Sequence, residues 1–251
     1  MVQHHPPQEG VIRPRKGKRD PDLGPDAVMV MIPSDLAYVI SRTKAKKVSF
    51  MDSGLYGLYK TEEEPPVDMA VAGPFFGAPH AVMGIEKLIA LGARRIWALG
   101  WCGSLQSDLR IGDMIIPLQG ISEEGVSEHY PLAQKEATSD LRLCRLVEGH
   151  LKAQEVHFQK GTVWTTDAVY RETPGKIRRY ETEGVLGVEM EISALLTVSA
   201  FRGVAFIPLL VISDELFDLK WRPGFSDPVF KENCKVAGDA VIAAVMEVNN
   251  G

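Results

Sequence analysis

The chain has 251 residues, 45% hydrophobic and 24% charged, with 28 basic against 33 acidic side chains for a formal net charge of −5. That balance argues against a nucleic-acid surface as the main partner, and the longest apolar runs, such as "VAFIPLLVI", fall far short of the roughly 18 residues of a membrane span. Cys102, Cys144 and Cys234 are scattered without a CxxC, and no charged-then-apolar signal opens the chain, so a cytoplasmic, reducing setting is expected.

Residues 1–25 are polar and carry Pro6, Pro7, Pro14, Pro21 and the basic run "RPRKGKR". They read as a flexible N-terminal arm, with His4 and His5 in it, leaving 26–251 as one domain. "AVMVMI" (27–32) and "VDMAVA" (67–72) are buried strands. After the Gly/Pro loop "GPFFGAPH", residues 81–93 form a helix in which Val82, Ile85, Leu88 and Ile89 share one face while Glu86 and Lys87 face elsewhere. Strands "RIWALG" (95–100) and "DMIIP" (113–117) follow, then a helix at about 139–153 and a strand ending in "GTVWTT". "LGVEMEISALLTVSAFRGV" (186–204) reads as a buried helix, "VAFIPLLVISD" as the next strand, and 228–248 as the last helix. Strands apolar on both faces and alternating with helices argue an α/β domain with a covered, largely parallel sheet.

Ligands of such sheets bind at the strand carboxyl ends. Here those ends are "LGWCGS", "WTTDAVYRET", "GVEME" and "ISDEL", each passing from apolar residues to glycine, hydroxyl or carboxylate groups. Glu189 and Glu191 stand at the mouth of a helix meant to be packed, where an unpaired buried charge costs several kcal/mol. If they meet Asp214 at one pocket mouth, they face a polar ligand and water. An ionised carboxylate only accepts hydrogen bonds, which suits paired hydroxyls such as those of a ribose; one that holds a proton suits protonating a leaving base. The plainer alternative has Asp214 capping a turn and both glutamates on a solvated helix end.

"GVLGVEMEISAL" resembles the signature of the purine nucleoside and uridine phosphorylase superfamily, closest to its bacterial purine branch. "GAPHAVMGIEKLIALGARRIWALGWCGSLQ" with "IGDMIIP", "EEGVSEHY" and "LLVISDEL" match further family segments in the same order, so the resemblance covers roughly residues 27–247. The fold it implies is α/β: a three-layer α/β/α sandwich around a mixed, partly barrel-like central sheet. The activity it implies is phosphorolysis of a nucleoside, with inorganic phosphate as co-substrate, no cofactor and no metal, in a homo-oligomer (dimer or hexamer). Residue by residue, Glu191 would hold the ribose hydroxyls, Met190 would pack on the sugar, and Glu189 would line the base side. Asp214, after Ser213, would protonate the purine at N7, a contribution of about 10²–10⁴-fold. Gly100, Trp101, Cys102 and Gly103 would contact the base or phosphate, and Thr166, Tyr170 and Arg171 would come from the loop after "GTVWTT". Ser213–Asp214 and Cys102–Gly103 resemble the purine branch rather than the pyrimidine one.

The departures fall in one place. Where family phosphorylases carry Gly-Asp-Pro-x-Arg, this chain has "PSDLAY", with Ser34 for the glycine and Tyr38 at the arginine. Ala98 stands at a second arginine and Trp101 at a hydroxyl residue. Arg-to-Ala removes the planar donor fork that grips a dianion. Lys46, Lys47 or Arg171 are the candidate replacement cations. Three readings stay open: a phosphorylase with a rewired phosphate site (or its uridine-cleaving variant), a nucleosidase using water, and a non-catalytic nucleoside-binding protein. Retention of Glu191 and Asp214 argues against the last. His80 reads as a helix-start residue, and "WRPGF" (221–225) as a loop able to cover the site.

Overall fold

The computed structural model describes residues 10–50, 54–61, 68–132 and 137–250, so His4 and His5 lie outside it. Among these, the strands are β1 (Asp26–Val30), β2 (Lys46–Lys47), β3 (Gly57–Lys60), β4 (Met69–Gly73), β5 (Arg95–Ser104), β6 (Met114–Glu123), β7 (Phe158–Thr166), β8 (Gly187–Glu189), β9 (Ala205–Glu215) and β10 (Arg222–Pro223). The helices are α1 (Pro33–Thr43), α2 (Ala78–Ala90), α3 (Leu141–Ala153), α4 (Pro174–Thr182), α5 (Ile192–Arg202) and α6 (Pro228–Asn250).

One sheet runs β10-β9-β6-β7-β8-β5-β1-β4-β3-β2, and β9 also pairs with β5. That extra pairing closes β9, β6, β7, β8 and β5 into a ring, while β1, β4, β3 and β2 extend from β5 as an open wing. The sheet is partly a barrel, flanked by helices. It is mixed rather than largely parallel: β5–β8 and β6–β9 are antiparallel, as are β2–β3, β3–β4 and β9–β10. The predominance of apolar residues could not reveal this, because a strand covered on both faces reads the same in either direction.

Two apolar clusters fill the faces. One joins α2 and α5 to the sheet through Ile85, Leu88, Leu195 and Val198; the other joins α1, α3 and α6 through Val39, Val147, Phe230 and Val245. A smaller cluster seats α4 by Ile177 and Tyr180 against Trp164 and Val188. Three layers result, as expected.

Off the apolar face of α2, Glu86 and Lys87 are both buried and paired. Lys87 Nζ donates to Asp20 Oδ2 (2.6 Å) and to the Arg15 carbonyl, and Arg202 forks onto both oxygens of Glu86 (2.8 Å each). One local expectation needs correction: residues 186–204 begin as strand β8 before turning into α5. Near the amino end of the described chain, Leu23 is buried and its N–H donates to the Leu91 carbonyl.

Candidate active site

The turn from β8 into α5 is built around two buried carboxylates. Glu189, 5% exposed, accepts the N–H groups of Glu191 (2.5 Å) and Ile192 (2.7 Å) on one oxygen and the Thr165 hydroxyl on the other. Thr165 Oγ1 in turn accepts the Ser193 N–H at 2.9 Å. Glu189 thus serves the unpaired donors of a helix start, where the helix dipole also favours negative charge. Glu191, 8% exposed, accepts the Gly77 N–H at 2.6 Å. Gly77 precedes α2 with φ +77°, a left-handed conformation that glycine adopts without strain. Both carboxylates therefore accept backbone N–H groups, and Glu189 a hydroxyl as well, which is how their burial is tolerated. Burial raises the pKa of Glu189, Glu191's charge adds to it, and the Thr165 hydroxyl and two N–H groups oppose it. Burial likewise raises Glu191 against the Gly77 donor.

β5 carries this turn to Asp214. Gly103 pairs with Val188 on one side and with Asp214 on the other, so the two flanking strands lie about 10 Å apart, two strand spacings. A side chain at Gly103 would strike Leu216 at 2.4 Å and Asp214 Oδ2 at 3.1 Å, so only glycine leaves that carboxylate room. Next to it Cys102 is buried, and burial, then the charges of Asp214 and Glu189, push its thiol well up, which makes it inert as a nucleophile. Asp214 itself accepts Ser213 Oγ (2.6 Å) on Oδ1 and Trp221 Nε1 (3.0 Å) on Oδ2. Burial raises its pKa, and these two donors oppose the rise. Trp221 belongs to "WRPGF", which the β9–β10 pairing lays beside Asp214.

Of the loop after β7, Tyr170 is 97% exposed and Arg171 is exposed too, so neither side chain is enclosed in a pocket. The residue that reaches Asp214 is Glu172, whose carboxyl is pushed up to about 7 by burial and by Asp214's charge. Sequence reasoning missed it, because a glutamate just before Thr-Pro looks like an ordinary helix-start residue. Thr166 Oγ1 accepts the Ala168 N–H, and it is Thr165 that engages Glu189. Met190 is half-buried at the turn, and Gly100 lies against Leu210 and Met31 inside the sheet.

The positions of the family departures are engaged elsewhere. Trp101 Nε1 donates to Asp35 Oδ2 (2.8 Å) in the first turn of α1, and its ring stacks on Phe225 and meets Phe230 edge-on. Tyr38 donates to Asp239 on α6 (3.1 Å), and Ala98 is fully buried in the core. Burial raises Asp35, opposed by its bonds from Trp101 and Ser34, and pushes Cys234 up to about 12 with help from Asp35's charge. Lys46 and Lys47 sit exposed on β2, at the far end of the wing. His80 Nδ1 accepts the Phe76 N–H at the start of α2. Among the described residues, no group of three or more His, Cys, Asp or Glu could hold a metal, and no helix is long and apolar enough to cross a membrane. A cavity of about 330 Å³ beside α5 is lined by Gln119, Ser122, Thr162, Ser193 and Thr197, and none of the residues expected in the site lines it.

The family model described as the phosphorylase superfamily matches residues 27–248. A purine nucleoside phosphorylase DeoD-type of Bacillus cereus (strain B4264) is 27% identical over 229 residues, which span 87% of this chain and 95% of that protein. Among solved structures, the uridine phosphorylase of Vibrio fischeri ES114 superposes with a TM-score of 0.81 at 18% identity, covering 93% of this chain and 98% of its own. The purine nucleoside phosphorylase of Toxoplasma gondii, in complex with immucillin-H, gives 0.81 at 18% identity, covering 97% and 99%.

Proposed function

The chain belongs to the phosphorylase superfamily, and from that premise we propose that it cleaves the N-glycosidic bond of a purine nucleoside by phosphorolysis, releasing free base and ribose 1-phosphate. The observation that carries this reading is the pair of carboxylate stations joined by β5, Glu191 with Glu189 on one side and Asp214 on the other. Glu191 takes the ribose hydroxyls, which fixes the sugar for attack at C1′. A phosphate oxygen bonds to C1′ as the C1′–N9 bond breaks, its electron pair goes to the base, and Asp214 delivers a proton to N7. Burial supports that role, because it raises the carboxyl above its ordinary range and so favours the protonated acid. Met190 packs on the sugar, and Glu172 shares the electrostatic setting of the acid.

Two observations favour second readings. Trp101, Tyr38 and Ala98 are all engaged where the resemblance expects phosphate ligands, which favours water as nucleophile and a free-sugar product. The likeness to a uridine phosphorylase fold keeps a pyrimidine substrate in view, although Ser213–Asp214 offers an acid suited to N7. The enzyme is expected to need no cofactor, and to work in the cytoplasm as a homo-oligomer. Product analysis with inosine, adenosine, methylthioadenosine and uridine, with and without phosphate, tests the proposal. Ribose 1-phosphate formed only with phosphate supports phosphorolysis; free sugar formed regardless makes the protein a nucleosidase.

A further inference from the structure

Asp214 has both carboxylate oxygens occupied, Oδ1 by Ser213 and Oδ2 by Trp221. Both donors favour the ionised form of Asp214 against burial, and Asp214 needs a proton to act as an acid. Withdrawal of one donor therefore shifts Asp214 toward the form that can act as an acid. Ser213 is its buried chain neighbour on β9, and its hydroxyl also reaches the Cys102 carbonyl at 3.2 Å. Trp221 is different: its side chain is 63% exposed although its indole N–H ends on a largely buried carboxylate.

The backbone around Trp221 is anchored. Arg222 and Pro223 pair with Glu215 and Asp214, and the Gly224 N–H donates to the Ser213 carbonyl at 2.8 Å. Gly224 is pressed on Ile111 so closely that a Cβ would lie 2.4 Å from Cγ2. The ring makes a tilted contact with Phe225, centroids 6.3 Å apart, beside the Asp214 bond. An anchored backbone thus carries a largely exposed ring.

We infer that Trp221 is a positioning residue for the general acid: its indole N–H holds Asp214 Oδ2 until the base of a bound nucleoside takes its place. The inference rests on the reading of Asp214 as the acid. The other titratable groups facing Asp214 are Glu172 from the loop after β7 and Cys102 from β5, with Glu189 beyond Cys102. Glu215, next in the chain, is bound instead to Arg110 and Arg222.

The test is the pH profile of kcat/KM, on the nucleoside that product analysis identifies, for the wild type, Trp221→Phe and Asp214→Asn. Phenylalanine keeps a ring beside Phe225 and removes the N–H. With a donor to the carboxylate gone, Asp214 keeps its proton to higher pH, and the alkaline limb moves up by about half to one pH unit. A limb that stays in place or moves down overturns the inference. Asp214→Asn separates the two ways of failing. If it cleaves at the wild-type rate, the reading of Asp214 as acid falls; if it loses about 10²-fold or more while Trp221→Phe leaves the limb unmoved, only the role of Trp221 falls.

Discussion

Two strand-to-helix junctions lie beside β5, and they have been put to opposite uses. At β8–α5, Glu189 serves the helix-start N–H groups and Glu191 takes the N–H of Gly77. Every partner there is backbone or a short hydroxyl, so the carboxylates are held without being neutralised by a cation. At β1–α1, the carboxylate Asp35 takes the indole of Trp101, and the aromatic rings of Phe225 and Phe230 pack against that indole. Bulk closes this junction, whereas small groups keep the other available. On the proposed function, the β8–α5 junction is the one that takes a ligand because compact groups serve its donors, whereas aromatic rings fill the space beside Asp35.

The largest expected effect separates the junctions by activity. On the proposed role of Glu191 as the sugar clamp, Glu191→Gln removes the charge that would strengthen both sugar hydrogen bonds, and kcat/KM should fall by about 10- to 100-fold. Asp35→Asn should leave kcat/KM near the wild-type value, since asparagine still accepts the Trp101 N–H. Steady-state assays of both variants make the comparison. Equal losses in the two would show that the α1 junction also belongs to the reaction centre.

The next effect is on stability. Trp101→Phe keeps the aromatic packing but removes the indole donor of the half-buried Asp35, which keeps its Ser34 bond, at a cost of about 0.5–1.5 kcal/mol for one lost hydrogen bond. Asp35→Asn in the same background should recover much of that loss, because the amide carries no charge to desolvate. Urea unfolding of the two single variants and the double variant measures the coupling. Additive effects would mean that the indole and the carboxylate do not depend on each other.

How much of this was legible in the sequence follows from chain separation. Glu189, Met190 and Glu191 lie within one turn of α5, and Ser213–Asp214 ends an unbroken apolar run, so local pattern and resemblance located both. The pairing of Glu86 and Lys87 was not legible, because the helical period marks a face without saying which distant segment covers it. Their partners Arg202 and Asp20 are 116 and 67 positions away. The bonds Trp101–Asp35 and Tyr38–Asp239 span 66 and 201 positions, and no local pattern announces them. β2 and β10 have two residues each, too few for a period, and α4 buries only Ile177 and Tyr180. The closed ring depends on β5 pairing with both β8 and β9, a property of register that composition does not carry.

The smallest expected effect is a pH dependence of stability that weighs the junctions against each other. Burial raises the carboxyls of Glu189, Glu191, Asp214 and Asp35, and that of Glu172 to about 7. Each such group binds its proton more tightly when folded than when unfolded. Its contribution is complete below the ordinary carboxylate range and is lost as pH rises through the folded value, so stability should fall from about pH 5 to about pH 8. Glu123, Glu124 and Glu148 are shifted down: burial opposes the shift in the first two, but hydrogen bonds outweigh it, while bonds from Lys152 and Lys160 dominate in the third. Their contribution is complete above the ordinary range, so they do not offset the decline in this window. The β8–α5 junction holds two raised carboxyls and the α1 junction one. Glu189→Gln should therefore flatten the decline more than Asp35→Asn does, read as the thermal midpoint against pH without ligand. A midpoint that stays flat across this window would mean that both glutamates are ionised throughout, the helix-start donors having overcome burial.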